Sequence, residues 1–273
     1  MLKNHFDITG KVALITGGAG LLGPVYARAL AASGATVVLA DILTEKVEEE
    51  AKKISAEHGT PCVGIHLNLL EQASIRDAVS FVVNTFGKID ILINNAQGVP
   101  KDEKETFEEY LPEHWDFTSN VNLRGTFLCT QEVGKHMLKN SGTKSGSEKG
   151  VIINISSIYG AYAPDQRIYF DGMKKSLSPS PAVYSATKGG IIALTKYLAA
   201  YYGGKGIRVN CVSPGGVFTN QDAAFVQNYS RRVPMGRMAQ KEELAGIVVF
   251  LASGASTYIT GQNIFVDGGL SCW

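Results

Sequence analysis

The 273-residue chain has little net charge, no closely paired cysteines and no clustered histidines. Lysine plus arginine number 26 and aspartate plus glutamate 25, giving a formal net charge of +1. Broad attraction to nucleic acid or to an anionic membrane is therefore not expected. The four cysteines form no CxxC pair, which favours buried, reduced thiols over a disulfide framework or a metal site.

Long apolar runs are also missing. No segment approaches the roughly 18 apolar residues that a membrane span needs, and the apolar run before the first glycines is too short for a signal peptide. We therefore expect a cytoplasmic protein with a small-molecule partner. Charged residues make up only 19% of the chain and hydrophobic residues 45%, which leaves apolar surface for contacts between copies, so we expect a homo-oligomer.

Seven short apolar runs rich in β-branched residues alternate with longer helical patterns. The runs are KVALIT, TVVLAD, PCVGIHL, IDILINN, GVIINIS, IRVNCVS and NIFVDGG. The helical patterns include a long one from about residue 112 to 139 and another from 182 to 202. Strands that are apolar nearly throughout and separated by helices indicate a parallel sheet covered on both faces. The sequence therefore predicts one α/β domain over residues 1–273, a doubly wound, Rossmann-type sheet of about seven strands.

A glycine-rich segment, TGGAGLLG, follows the first strand and opens the first helix. Such glycines let backbone N–H groups approach a pyrophosphate at the helix N-terminus, although similar loops also make plain strand-to-helix turns. The second strand ends at Asp41, where a carboxylate can bind the ribose hydroxyls of NAD and repel the 2′-phosphate of NADP. A helix cap is the structural alternative for Asp41. The pattern favours NAD as the cofactor.

Tyr184 and Lys188 lie one helical turn apart, so the phenol and the ammonium share a face of the late helix. On many helices such a pair only covers apolar surface and keeps its charge in water. The chemical alternative is that Lys188 and an oxidised nicotinamide lower the phenol pKa from about 10, so that Tyr184 exchanges a proton with an alcohol or carbonyl oxygen. That alternative needs supporting motifs elsewhere in the chain.

Six motifs, in the same order, resemble the short-chain dehydrogenase/reductase family over essentially the whole chain. They are TGxxxGxG at Thr16, Gly17 and Gly23, NNAQ at 94–97, the helical Asn122, Ser157 in NISSIYG, YxxxK at Tyr184 and Lys188, and PGxxxT at Pro214, Gly215 and Thr219. The chain departs from the family pattern where Gly20 stands one place early, Gln97 replaces a glycine, and Asn68 replaces an aspartate that often faces adenine. These departures concern the details of cofactor geometry.

The resemblance implies a nicotinamide cofactor, a tetramer and a catalytic set of four residues. Tyr184 would be the acid/base, Ser157 would bind the reacting oxygen, Lys188 would hold the nicotinamide ribose, and Asn122 would hold a water in a proton relay. Without the other motifs, Ser157 is equally a turn residue and Asn122 a helix amide bonded to its own backbone. No metal site is predicted, and the predicted cofactor-binding residues are Gly17, Gly20, Leu22, Gly23, Asp41, Asn68, Leu69, Asn95, Ala96, Tyr184, Lys188, Pro214, Val217 and Thr219.

Ser157 and Tyr184 are 27 positions apart, a longer separation than the family commonly has, so residues 163–181 form a candidate insertion. One interpretation is a solvated surface loop. The other is a wall of the substrate pocket that places Arg167, Lys174 or Lys175 against an anionic group. Both interpretations fit the sequence.

The segments SSIYG, APDQRIY and SPGGV resemble oxidoreductases associated with bacterial flagellin glycosylation and nonulosonic acid synthesis. That resemblance implies a sugar phosphate or a nucleotide sugar as substrate. We therefore expect an NAD-dependent alcohol/carbonyl oxidoreductase acting on a polar, sugar-derived substrate. A 3-oxoacyl-thioester reductase is one alternative, which Asp41 disfavours because those enzymes usually prefer NADPH. An NAD-sensing protein without turnover is another, which the complete catalytic set disfavours.

Overall fold

Seven parallel strands form one sheet in the order β3-β2-β1-β4-β5-β6-β7. The computed structural model describes residues 5–100, 106–141, 148–169 and 180–273. All seven predicted strands are present. Their bounds are β1 (Val12–Thr16), β2 (Thr36–Asp41), β3 (Cys62–His66), β4 (Ile91–Asn94), β5 (Gly150–Ile155), β6 (Ile207–Pro214) and β7 (Asn263–Val266).

Helices cover both faces of the sheet, as predicted. Strands β1, β4, β5 and β6 are buried along their whole length, which is why β1, β4 and β5 are apolar nearly throughout rather than alternating. The described α-helices are α1 (Gly23–Ala32), α2 (Thr44–His58), α3 (Gln72–Phe86), α4 (Pro112–Ser119), α5 (Gly125–Met137), α6 (Ala182–Gly203), α7 (Ala223–Ser230) and α8 (Ala245–Ala252).

Two apolar cores lie on opposite faces of the sheet. Side chains of β1 alternate between them, so Ala13 and Ile15 join α1, α2 and α8 in one core. Val12 and Leu14 join α3, α5 and α6 in the other. The strand order reverses between β1 and β4, which pair directly. A crevice at the carboxyl ends of these strands is where this kind of sheet binds its ligands.

The predicted long helix from 112 to 139 is wrong as a single helix. It is divided into α4, a π-helical turn from Asn120 to Arg124, and α5. A π turn inserts an extra residue into the helix, and such turns often occur at functional sites. Helix α7 was not predicted, although Asp222 caps it by accepting a hydrogen bond of 2.8 Å from the Ala224 N–H. An Asp at a helix start was the available signal.

The cysteine prediction needs one correction. All four thiols are free, and Cys62, Cys129 and Cys211 are buried, but Cys272 is exposed in the last turn of the chain, where little structure covers it. Across the described ranges, no helix is long and apolar enough to cross a membrane. The same ranges hold no group of three or more His, Cys, Asp or Glu side chains that could bind a metal ion.

Candidate active site

A cavity of about 600 Å³ opens at the carboxyl ends of β1, β4, β5 and β6, next to the point where the strand order reverses. Most of the predicted site residues line it. They are Gly17, Gly20, Leu22, Asp41, Asn95, Ala96, Ser157, Tyr184, Pro214, Val217 and Thr219. The structure thus gathers residues from opposite ends of the sequence around one space.

The glycine-rich loop turns tightly between β1 and α1. Gly17 has a φ of +70°, and a Cβ there would come within 2.7 Å of the Ala96 Cα. Helix α1 begins at Gly23 without a side-chain cap, so its first N–H groups are available to a phosphate. Gly23 itself does not line the cavity. A Cβ at Gly23 would approach the Gly17 carbonyl oxygen to 2.4 Å, so this glycine keeps the loop and helix in close contact.

Asp41 lies at the end of β2, where its carboxylate also fixes the glycine-rich loop. One oxygen accepts a hydrogen bond from the Ala19 N–H and the other from the Leu43 N–H, each at 3.0 Å. Helix α2 starts at Thr44 with no side-chain cap, so Asp41 does not cap it. The half-buried carboxylate faces the cavity and has lone pairs left for ribose hydroxyls.

Asn95 and Ala96 join β4 to β1 at the floor of the cavity. Both of their N–H groups donate to the Thr16 hydroxyl at 3.1 Å. The Asn95 side chain donates to the carbonyl oxygens of Thr16 and Gly17, at 3.0 and 3.1 Å. These bonds hold the first turn rigidly beside the neighbouring strand end.

The structure does not bring the predicted cofactor-binding residues Asn68 and Leu69 to the cavity wall. The Asn68 amide donates to the Glu71 carboxylate at 2.8 Å and accepts from the Leu70 N–H at 3.1 Å. Leu69 is buried and packs where a Cβ on Gly125 would lie. Their contacts to a cofactor stay a prediction.

Ser157 and Tyr184 meet at the substrate side of the cavity. Ser157 follows β5, and its Oγ accepts a hydrogen bond of 3.1 Å from the Tyr159 N–H. Burial raises the pKa of the Tyr184 phenol, and the neighbouring Ser157 hydroxyl lowers it by a smaller amount, so the net pKa is raised. The proposed acid/base and its partner therefore lie side by side in the cavity wall before any substrate binds.

Lys188 lies behind Tyr184, one turn further along α6. Its Nζ is 5.6 Å from the centroid of the Tyr184 ring and donates to the Ile155 carbonyl oxygen at 3.0 Å. Complete burial lowers the Lys188 pKa to about 8. In the protein alone, burial of the phenol dominates and raises the Tyr184 pKa. The lowering expected from Lys188 together with oxidised nicotinamide stays a prediction.

Asn122 lies in the π-helical turn, buried and away from the cavity wall. Its Oδ1 accepts a hydrogen bond of 2.8 Å from the Gly98 N–H. Its Nδ2 has no hydrogen-bond partner within the described parts of the chain. A buried amide donor in that position is suited to a water-linked relay, and the relay stays a prediction.

Three tyrosines that were not predicted also line the cavity, namely Tyr159, Tyr169 and Tyr229. Tyr169 belongs to the 163–181 stretch, as do the lining residues Ser180 and Pro181. Tyr159 stands only two positions after Ser157, so its proximity was a usable signal. Tyr229 could not be found because α7 was not predicted.

The basic residues of the insertion do not supply a cation to the described wall. The Arg167 guanidinium donates to both carboxylate oxygens of Asp165, each at 2.8 Å, and its side chain is 79% exposed. Arg167 is not among the residues that line the cavity. Lys174 and Lys175 lie outside the described residues.

A family model described as enoyl-(acyl carrier protein) reductase matches residues 21–271. The chain is 36% identical over 269 residues to a 3-oxoacyl-(acyl-carrier-protein) reductase of Thermotoga maritima, covering 96% of this chain and 98% of that protein. The match therefore extends over essentially the whole of both proteins.

Two solved structures share the fold at substantial identity. A gluconate 5-dehydrogenase from Burkholderia cenocepacia in complex with NADP and tartrate superimposes with a TM-score of 0.86 and 34% identity over 100% of both chains. A short chain dehydrogenase from Leptospira borgpetersenii with bound NAD⁺ does so with a TM-score of 0.82 and 35% identity, over 99% of this chain and 96% of that one. With the glycine-rich turn and the Tyr184–Ser157 contact already in place, these matches show that the chain belongs to the short-chain dehydrogenase/reductase family.

Proposed function

We propose that the protein is an NAD-dependent oxidoreductase that interconverts an alcohol and a carbonyl on a polar, sugar-derived substrate. The observation that carries this proposal is that Ser157 and Tyr184 lie side by side in the wall of the cavity, with the Lys188 ammonium buried behind the ring. A non-catalytic NAD sensor needs no such arrangement.

The chain's own residues account for binding, orientation and proton transfer. When bound, a nicotinamide supplies hydride acceptance or donation and a positive charge in its oxidised form. Ser157 orients the reacting oxygen, and Tyr184 takes its proton during oxidation or returns it during reduction. Lys188 holds the nicotinamide ribose and favours the phenolate, while Asn122 links Lys188 to solvent.

NAD is proposed as the preferred cofactor because Asp41 faces the cavity at the end of β2. A carboxylate there repels a 2′-phosphate. The neighbouring Ile42 and Leu43 offer no cation that would bind one. The similar solved structures are divided, since one binds NAD⁺ and another NADP, so Asp41 is the discriminating feature.

A polar substrate is proposed because the described cavity wall carries several hydroxyl groups near the reacting position, from Ser157, Tyr159, Tyr169 and Tyr229. The gluconate 5-dehydrogenase similarity is consistent with a polyhydroxylated substrate. No Lys, Arg or His is among the described residues of that wall.

A 3-oxoacyl-thioester reductase is the second candidate, supported by the 36% identity to the Thermotoga maritima enzyme. It shares the same Ser157, Tyr184 and Lys188 chemistry. The two candidates differ in cofactor preference and in the polarity of the substrate.

A homo-oligomer, by family resemblance a tetramer, is proposed for the assembled enzyme. The aromatic side chains of Phe127 on α5 and of Tyr197 and Tyr201 on α6 are exposed in the single chain. Exposed apolar surface on neighbouring helices is suited to contacts between copies. Sedimentation velocity measures the assembly directly.

The test is a panel of polyols, aldonates, sugar phosphates, nucleotide sugars and acyl thioesters, each assayed by the absorbance of reduced nicotinamide with both cofactors. Turnover of a polar substrate with NAD supports the proposal. Turnover confined to acyl thioesters with NADPH would establish the second candidate, and NAD binding with no turnover of any substrate would favour the sensor.

A further inference from the structure

The substrate end of the cavity has an aromatic wall built from separate elements. Tyr169 ends the short turn at 166–169, whereas Phe225 and Tyr229 lie on α7. The Phe225 ring lies between the two tyrosines, with centroid distances of 5.5 Å to Tyr169 and 6.0 Å to Tyr229. The start of the 163–181 insertion is thereby packed onto α7 and contributes to the cavity.

Tyr169 lies beside two polar groups of the protein. Burial raises the Tyr169 pKa, whereas the Tyr159 hydroxyl and the Ser180 N–H lower it. The Tyr169 ring is buried against Phe225 and lines the cavity.

Tyr229 is held by a backbone hydrogen bond from the end of β6. Its phenol oxygen accepts a hydrogen bond of 2.5 Å from the Gly216 N–H. A Cβ on Gly216 would lie 2.6 Å from the Tyr229 Cζ, so the glycine is what allows the ring this close to the strand end. Tyr229, like Tyr169, is buried and faces the cavity.

A phenol whose oxygen accepts from the protein presents its O–H as a donor. Within the described ranges, neither the Tyr169 hydroxyl nor the Tyr229 hydroxyl donates a hydrogen bond to another group of the protein, and both residues line the cavity. The only charged side chain in the described cavity wall is Asp41, at the end that would hold adenosine. The substrate end therefore offers two neutral donors and no described cation.

We infer that Tyr169 and Tyr229 are specificity-determining residues that donate hydrogen bonds to a carboxylate of the substrate, remote from the carbon that exchanges hydride. A carboxylate carries two acceptor oxygens and no proton, which matches two donors. Hydrogen bonds to an ionised acceptor are about twice as strong as neutral ones, so a carboxylate gains more here than a hydroxyl. This inference rests on the proposed function, because it places that carboxylate in the same cavity as Tyr184.

The experiment compares carboxylates with alcohols of the same carbon skeleton, without requiring turnover. Binding of tartrate against threitol, and of gluconate against glucitol, is measured by calorimetry at saturating NADH, with which these alcohols cannot react. The parent protein is expected to bind at least one of the carboxylates about tenfold more tightly than its alcohol. Tyr169→Phe and Tyr229→Phe are each expected to remove most of that difference, and the double variant all of it.

Tyr258→Phe is the matched control, because Tyr258 is fully exposed and lies outside the cavity. It should retain the parent's preference. Equal affinity for acid and alcohol in the parent, absence of binding by all four compounds, or an unchanged preference in the folded double variant would each overturn the inference. Since binding is measured without turnover, an enzyme that oxidises polyols but shows no carboxylate preference keeps the proposed function and loses this inference. A protein that prefers the carboxylates but turns over no substrate would keep this inference and lose the proposed function.

Discussion

The Nζ of Lys188 lies 5.6 Å from the centroid of the Tyr184 ring, and burial shifts the two pKa values in opposite directions, so that they move apart. Burial raises the phenol pKa and lowers the ammonium pKa to about 8. Both shifts favour the neutral forms. Transfer of a proton from Tyr184 therefore depends on charge and hydrogen bonds contributed by the bound reactants as well as on Lys188.

Replacing Tyr184 by Phe removes the acid/base hydroxyl and keeps the ring against α6. The expected result is a fall in kcat on the order of 10²-fold or more, the usual scale for general acid/base catalysis. Affinity for NADH, measured by fluorescence titration, should change little. Tyr162→Phe is a control because its hydroxyl bonds weakly to the Ser271 carbonyl outside the cavity. Parent-like turnover by the Tyr184 variant would exclude Tyr184 as the acid/base.

Replacing Lys188 by Met should abolish turnover and change how stability depends on pH. The Lys188 pKa falls from 10.5 when unfolded to about 8 in the fold, so between these values the unfolded chain binds more protons. The stability of the parent attributable to Lys188 therefore rises with pH across this window. The Met variant lacks this pH-dependent contribution to the free energy of unfolding, which amounts to about 3 kcal/mol over the whole window.

Denaturant unfolding of parent and Lys188→Met at several pH values measures the effect, and subtracting the two curves cancels the groups that titrate alike in both. The stability of the variant relative to the parent should be greatest below pH 8 and should decrease toward pH 10.5. Loss of the hydrogen bond to the Ile155 carbonyl shifts this difference in stability by the same amount at every pH. A difference that does not vary with pH would contradict the burial of a titrating ammonium.

Asp41→Ala is expected to weaken the use of NAD and to narrow the preference for NAD over NADP. The substitution removes both the hydrogen-bond acceptor for the ribose and the charge that repels a 2′-phosphate. The ratio of kcat/KM for the two cofactors measures this. The change should also cost on the order of 1 kcal/mol of stability, since the N–H groups of Ala19 and Leu43 lose their acceptor. Asp77→Ala, on the exposed face of α3, controls for loss of charge alone. Equal use of both cofactors by the parent would refute this prediction.

The seven strands were predictable because strands buried on both faces need nearly continuous apolar runs, as β1 and β4 show. The Tyr184–Lys188 pair was predictable because four positions along a helix always give one face. The π turn at Asn122 was not, since nothing in the local pattern distinguishes i→i+5 hydrogen bonds from those of an ordinary helix. The tyrosine wall was also missed, because the contact between Tyr169 and Phe225 joins residues far apart in the chain.

Gly216→Ala tests whether close packing against the end of β6 positions Tyr229. The added Cβ would lie 2.6 Å from the Tyr229 Cζ and 2.9 Å from the Met238 Cε, so the ring must move and its bond to the Gly216 N–H weakens. The expected loss of stability is about 1–3 kcal/mol, the usual range for overpacking, together with a higher KM for the substrate. Gly203→Ala in α6 is the matched control, because nothing lies within 4 Å of its added Cβ, and alanine there should be neutral or slightly stabilising. If both variants have the parent's stability toward unfolding and the parent's turnover, Tyr229 is not held by this contact.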